Sequence, residues 1–377
     1  MSQSSVNGQA APLSMAITEA ARLINESRQT VIVGLGADVA GARAALALAE
    51  RVGGVVDHMH SAALLRDLDV MRETGILLTT PGEARIRGDV IFLAGAGLLE
   101  AGLLDVASDL VTRTLGPPVA ESPRRIFWLG AEETESSELA RAVHAGNANI
   151  GLTAVDEASL SQRLAALRAR VNGRRAALSG EKSRGIDALA AALRSATFGV
   201  AIWSASHLDA LTIEMLCGLV KDLNANTRFT GLPLAPGDNA AGVLQVCGWM
   251  TGLPMRTGFA REFAEHDPWL FDAERLVESG EADCALWISA YGAAVPPWRK
   301  AIPLIALVPA EAELPQTPAV RISIGRPGVD HDSVDYYAAM ATLASTSASR
   351  PSQTLSVAEA LQMLTAAIDE DLGPPPC

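Results

Sequence analysis

The sequence predicts an α/β protein built from two Rossmann-like, doubly wound parallel sheets. Short unbroken apolar runs alternate with helical patterns along the chain, as strands covered on both faces and their crossover helices should. Ten such runs are present, enough for two sheets of about five strands each. At 377 residues the chain is longer than a single core usually supports, which points to two domains.

The elements follow in order. The first thirteen residues are small and polar, and a disordered start is expected. Residues 15–27 read as an amphipathic helix with Ile17, Ala20, Ala21 and Ile24 on one face. Next comes the βαβ unit that organises the rest. It has a strand, Thr30-Val31-Ile32-Val33, a glycine turn, Gly34-Leu35-Gly36, an alanine-rich helix over 40–51, and a second strand, Gly54-Val55-Val56-Asp57. A helix is expected over 64–71, strands at 90–93 and 125–129, and a helix over 136–145 capped by Ser136 or Ser137. A strand at 149–152 and a helix from an Asp156 cap to Val171 follow. Residues 172–185 are polar and contain glycine, as a surface connection would.

A helix over 186–194, a strand at 198–203, a helix over 208–223 capped by Ser206, and a strand at 228–230 lead into a turn-rich stretch, Gly231 to Gly237. Asp238-Asn239 opens a helix to about Met250, residues 251–269 read as loop, and 273–278 as helix. Strands at 284–289, 302–308 and 320–324 precede a last helix over 354–371, capped by Ser356; residues 372–377 trail off.

Hydrophobic residues make up 49% of the chain, and mean hydropathy is +0.21. No apolar run reaches the roughly 18 residues of a membrane helix. The net charge of −13 argues against a nucleic-acid partner, which would need a basic footprint. The opening residues lack the basic and apolar regions of a secretory signal, so a cytoplasmic protein is expected. The four cysteines include no Cys-x-x-Cys pair, so no zinc or iron–sulfur site is expected from this chain. Cys217, Cys247 and Cys284 lie in apolar surroundings and read as small buried hydrophobes, while Cys377 sits on a proline-rich tail.

Three stretches could carry chemistry. Gly34 and Gly36 follow a strand and open a helix, and Asp57 lies 57 − 36 = 21 residues on, near the spacing of a ribose-binding acid. An NAD(P)-binding oxidoreductase is therefore an alternative. Against it, the third fingerprint position is the β-branched Val39, and Gly41 comes two positions late. A tight βα turn needs the glycines equally well. Asp57-His58-Met59-His60 could hold a metal, with His207 or His266 as a distant third ligand; hydrogen-bonded loop histidines are the plainer reading. Ser204-Ala205-Ser206-His207 follows a strand but is no Gly-x-Ser-x-Gly elbow. Trp298, in Pro296-Pro297-Trp298-Arg299-Lys300, and Trp269 look exposed and suited to a protein contact.

The order of several segments is similar to a known family. These are residues 31–36, Leu48-Ala49-Glu50-Arg51-Val52-Gly53-Gly54-Val55-Val56-Asp57, residues 81–95, Gly237-Asp238-Asn239-Ala240-Ala241-Gly242, Glu265-His266-Asp267-Pro268 and Gly280-Glu281-Ala282-Asp283-Cys284-Ala285-Leu286. Over about residues 15–325 the chain resembles the B subunit of formylmethanofuran dehydrogenase, in the molybdopterin oxidoreductase superfamily. It looks most like the shortened form found in a four-subunit bacterial formyltransferase/hydrolase complex.

The resemblance implies one discontinuous Rossmann-like domain, residues 1–62 with 233–377, and an inserted one, residues 63–232, without the family's iron–sulfur domain. It also implies partners, the A, C and D subunits. Active members carry a Cys-x-x-Cys segment at the start and a metal-binding Cys-His pair after the second strand. Here no cysteine precedes Cys217, and Ala63 and Leu64 stand where the pair would be. The resemblance therefore implies a non-catalytic subunit with no catalytic, cofactor-binding or metal residues of its own, and no cofactor. A molybdenum or tungsten pterin enzyme is the other alternative, using Asp57, His58 or His60 as ligand. Whether the vestigial cleft near Gly34, Gly36, Asp57, His58 and His60 takes a ligand is left open by the sequence.

Overall fold

The computed structural model describes residues 4–104, 124–146, 151–155, 160–175, 181–292 and 294–372. The chain divides into two compact units, Met1–Ser61 with Asp238–Tyr336 and Leu343–Cys377, and Ala62–Gly237 with Tyr337–Thr342.

The first unit holds a nine-stranded sheet. Its centre is parallel, in the order Val55–His58, Thr30–Gly36, Cys284–Ser289, Leu304–Val308, Val320–Ser323. Alternate residues feed two cores, as the period of two requires. Ile32, Val56, Leu286, Ile305 and Leu307 meet the helices Leu13–Glu26, Val39–Val52, Ala240–Thr251 and Val357–Leu372. Val31, Val33, Val55, Trp287 and Ala306 meet the helix Ala273–Ser279 and Trp298.

Both edges of this sheet depart from expectation. Ser4–Val6 is a strand, antiparallel to Val320–Ser323, and pairs in turn with Gln9–Ala10. Small polar residues carry no strand pattern; a free sheet edge recruits them, and Ser4 Oγ donates to the Ala11 carbonyl at 2.8 Å. At the other edge the expected loop contains Thr257–Gly258 and Glu265–His266, which pair antiparallel to each other, the first also antiparallel to Val55–His58. The hairpin of Ser333–Tyr337 and Thr342–Thr346 was also not apparent in the sequence.

Among the described residues, the second unit holds a five-stranded, all-parallel sheet, in the order Gly151–Val155, Arg125–Leu129, Val90–Ala94, Phe198–Ser204, Arg228–Leu234. Both faces are covered: Phe92, Ala201 and Trp203 pack on one side, Ile91, Trp128 and Ile202 on the other. The last strand runs on through Gly231 and Pro233, where turns were expected. Its place at the end of the sheet order tolerates proline. Gly231 also bonds residues 77–79, its N–H donating to the Leu77 carbonyl at 2.8 Å and its carbonyl accepting from Thr79 N at 3.0 Å.

Helix ends differ from expectation where several cap residues compete. Ser136 lies inside the helix Glu133–Gly146, its hydroxyl donating to the Glu133 carbonyl. Asp209, not Ser206, caps Ala210–Leu223, accepting from Thr212 N at 2.7 Å. The helix Glu181–Arg194 begins five residues before the expected start at Ile186. Ser356 does cap the last helix, in a reciprocal box with Glu359. Asn149, Asp156 and Cys377 lie outside the described residues.

Candidate functional site

Parallel α/β sheets bind ligands at the carboxyl ends of their strands. In the first unit that end carries Gly34, Gly36, Asp38, His58, His60, Asp238, Asn239 and Tyr291. The strand Thr30–Gly36 ends in a kink, with Gly34 at φ +80° and Leu35 at φ +53°. The kink coincides with a register shift against Trp287 and Ser289. Gly34 thus serves a bulge in the sheet: a Cβ there would meet the Ile288 carbonyl oxygen at 2.5 Å. At Gly36 a Cβ would meet Met59 Cε at 3.2 Å, so the protein itself fills the space above it. Gly41 is where the helix Val39–Val52 approaches Val357.

The amino terminus of that helix is also taken. Asp38 is its cap, buried, with its carboxylate accepting from Gly41 N at 2.8 Å. A pyrophosphate would meet a carboxylate there instead of free N–H groups. Burial raises the Asp38 pKa. Nearby, the Tyr291 hydroxyl donates to Asp335, which also accepts from Ser333 Oγ at 2.6 Å. Burial, followed by the Asp335 charge, pushes the Tyr291 phenol above its usual range. Asn239 ties the cluster together, donating to the Ala37 carbonyl and accepting from Tyr336 N, both at 2.8 Å.

The two histidines belong to this network. His58 is buried, and its Nδ1 accepts from His60 N at 3.0 Å. Its proton therefore resides on Nε2, which donates to the Asp238 carbonyl at 3.2 Å. Burial, with His60 next to it, lowers the His58 pKa to about 4, so the ring is neutral at pH 7. His60 Nε2 bonds Asp238 Oδ2 at 3.1 Å. Neither expected third ligand joins them: His266 Nδ1 is bonded to the Arg256 carbonyl at 2.9 Å, and His207 Nε2 faces Glu100 at 3.4 Å. No group of three metal-ligating side chains forms among the described residues.

Asp57 is engaged by the protein's own groups. It is buried, and its Oδ2 accepts from Ala273 N at 3.1 Å. Arg256 lies against it at 3.5 Å and pairs with Asp272, the cap of Ala273–Ser279, at 2.5 Å. Burial pushes the Asp57 carboxyl up to about 6, with Arg256 opposing. Asp38 was missed in the sequence, although an aspartate just before a helical pattern is a cap signal. Arg256, Tyr291 and Asp335 carry no local signal, because their partners are far away in sequence.

The remaining candidates are placed as follows. Ser204 is fully buried, and its Oγ accepts from Ser206 N at 3.4 Å. Trp298 is buried, stacked edge-on against Trp287 at 5.9 Å, which corrects its expected exposure; Trp269 is 66% exposed. The three described cysteines are buried, and burial raises all three thiols, Cys284 to about 12. A groove of about 590 Å³ beside the helices Val39–Val52 and Val357–Leu372 is lined half by alanines, with Arg43, Gln362, Thr365 and Asp369 among the rest.

Ala63 and Leu64 are buried on the helix Ser61–Thr74. The same helix carries a buried acid, Asp67, which accepts from Trp203 Nε1 at 2.9 Å. Burial lifts its pKa from 3.8 to about 6. Between those values the folded state holds the proton more tightly than the unfolded chain, so stability falls as pH rises through this window. Urea unfolding of the intact chain should show a gain of up to about 3 kcal/mol from Asp67 between pH 7 and pH 4. Asp67→Asn, which keeps the acceptor for Trp203, should remove that part of the slope. An unchanged slope would contradict the assignment.

No family model matches the chain. It is 33% identical over 326 residues, 86% of this chain and 85% of the relative, to the B subunit of the formyltransferase/hydrolase complex Fhc of Methylorubrum extorquens. It is 27% identical over 340 residues, 85% of this chain and 75% of the relative, to the B subunit of tungsten-containing formylmethanofuran dehydrogenase 2 of Methanocaldococcus jannaschii. Among solved structures, a chain of the formyltransferase/hydrolase complex (FhcABCD) of Methylorubrum extorquens with methylofuran matches at TM-score 0.84 and 30% identity. That match covers 98% of this chain and 100% of the other.

Parallel sheets with a polar, internally bonded cluster at the strand ends define an α/β protein related to the B subunit of formylmethanofuran dehydrogenase. The chain belongs to the family of B subunits of the formyltransferase/hydrolase complex.

Proposed function

We propose that this chain is a non-catalytic structural subunit of a formyltransferase/hydrolase complex, assembled with A, C and D subunits. The complex would pass a formyl group from formyl-tetrahydromethanopterin to a methanofuran-like carrier and hydrolyse it to formate, with the chemistry on the other subunits. The fold would be that of a molybdopterin oxidoreductase, two Rossmann-like domains, with no iron–sulfur cluster held by this chain.

The observation that carries the reading is the donor chemistry. Ala63 and Leu64, where the resemblance puts the metal-binding pair of active members, are buried hydrocarbon. The candidates that precede them in sequence are committed elsewhere. Asp57 is bonded to Ala273 and Arg256, His58 uses both ring nitrogens, and His60 bonds Asp238. The buried thiols stay protonated and weakly nucleophilic. These residues do not fit a molybdenum or tungsten pterin. No helix among the described residues is long and apolar enough to cross a membrane.

The test is to assay the chain purified alone, and again co-expressed with the partner subunits, for formyl transfer and formate release. Activity is expected only in the assembly. Turnover by the isolated chain would overturn the reading.

A further inference from the structure

Trp269 and Leu270 stand 66% and 46% exposed, and Phe263, on the other side of the strand Glu265–His266, 58%. Single exposed apolar residues are ordinary. What differs here is how the first two are held. Asp267 Oδ1 accepts the backbone N–H of Trp269 at 2.8 Å and that of Leu270 at 2.7 Å. Arg275 binds the other side, Nε donating to the Trp269 carbonyl at 2.9 Å and Nη2 to the Leu270 carbonyl at 2.6 Å. Its guanidinium also lies 4.4 Å from the centre of the Trp269 ring. Glu281 fixes Arg275 in turn at 2.5 Å, and Arg256 Nη1 donates to the Pro268 carbonyl at 2.5 Å. All four backbone polar groups of the Trp-Leu pair are thus bonded internally, and the two side chains are presented outward on a fixed backbone. Ordering has already been done before any partner arrives, which is the property that makes a tryptophan an effective binding anchor.

The charges around this loop identify the partner's chemistry. Arg261 is neutralised by Glu265 at 3.2 Å, and Arg275 by Glu281. Glu262 and Glu274 are exposed and have no cationic partner among the described residues. Asp267 is held below its ordinary range by the two N–H groups it accepts, and so remains ionised. The surplus is negative, on a chain of net charge −13. A second copy of this chain would bring like charge to like.

We propose that Trp269 and Leu270 form a preassembled anchor that docks into an apolar pocket, rimmed by lysine or arginine, on a different subunit of the complex. The proposal rests on the scaffold reading above and names the surface through which it acts.

The test compares assembly of the co-expressed full complex for the wild type, Trp269→Ala, Glu274→Lys and, as an exposed apolar control, Met15→Ala, which is 57% exposed in the wild type. Thermal melting of each isolated chain checks folding. Trp269→Ala should weaken assembly about 30-fold or more with unchanged melting. Glu274→Lys should weaken it a few-fold, less so at high salt. Met15→Ala should assemble as the wild type does. Wild-type assembly by Trp269→Ala would overturn the anchor, as would a homotypic dimer lost in that variant. Failure of the wild type itself to assemble would overturn the scaffold reading, a distinguishable outcome.

Discussion

Replacing Arg256 with methionine should destabilise the first unit by about 3–5 kcal/mol, the range for removing one member of a buried charge cluster. Arg256 adopts φ +61° and sits between two carboxylates, Asp57 at 3.5 Å and Asp272 at 2.5 Å, with side-chain exposures of 16%, 8% and 25%. Methionine fills similar volume, so the loss is electrostatic rather than a cavity. Without the cation, Asp57 is left buried with neutral donors, the Ser61 hydroxyl and the Ala273 N–H, and one of its oxygens already has no hydrogen-bond partner by distance and angle.

The sign of the pH response follows. Asp57 already titrates near 6 in the folded state, above its ordinary 3.8, so acid relieves its burial. Losing Arg256 raises that value further. The variant should therefore regain part of its stability as pH is lowered from 7 to 5. Urea unfolding at both pH values measures this. Arg256→Met with Asp57→Asn should be less damaging than Arg256→Met alone, because the more deeply buried of the two carboxylates no longer carries an uncompensated charge, while Asp272 is partly open to solvent. Equal damage in the single and double variants would refute the electrostatic account.

Gly34→Ala should cost about 3 kcal/mol or more, or prevent accumulation of folded protein, although it adds a single methyl group. Two penalties act together. The left-handed conformation at φ +80° costs an L-residue about 1–2 kcal/mol. The new Cβ would also lie 2.5 Å from a backbone oxygen, that of Ile288, which the neighbouring strand holds in place. Gly36→Ala is the informative companion. Its Cβ would meet the end of a flexible side chain, Met59 Cε, at 3.2 Å, and its φ is not positive, so a loss of about 1 kcal/mol or less is expected. If the glycines existed to admit a dinucleotide, the two variants would be equally well folded and differ only in binding. Thermal melting of both separates these cases.

The parallel strands were legible because burial on both faces leaves unbroken apolar runs. Val90–Ala94, Arg125–Leu129 and Cys284–Ser289 lie where the sequence puts them, to within a residue. Edge strands were not, since Ser4–Val6 and Glu265–His266 owe their conformation to an adjacent strand rather than to their own residues. Pro233 and Gly231 spell a turn locally but run as strand, because tertiary pairing outweighs propensity.

The site was legible in part. Position along the chain marked Asp57 and His58 as strand-end residues, which they are. Their roles depend on Arg256, Ala273 and Asp238, residues no local pattern links to them. Trp298 was misread for the same reason: proline and charge flank it in sequence, but Trp287 covers it in space.

On the scaffold reading proposed above, this chain supplies no grip for a redox metal. Elemental analysis of the purified, fully assembled native complex tests it most directly. Molybdenum and tungsten should both be at background, with formyl transfer and formate release intact. Stoichiometric molybdenum or tungsten that stays with this chain when the complex is dissociated would contradict it.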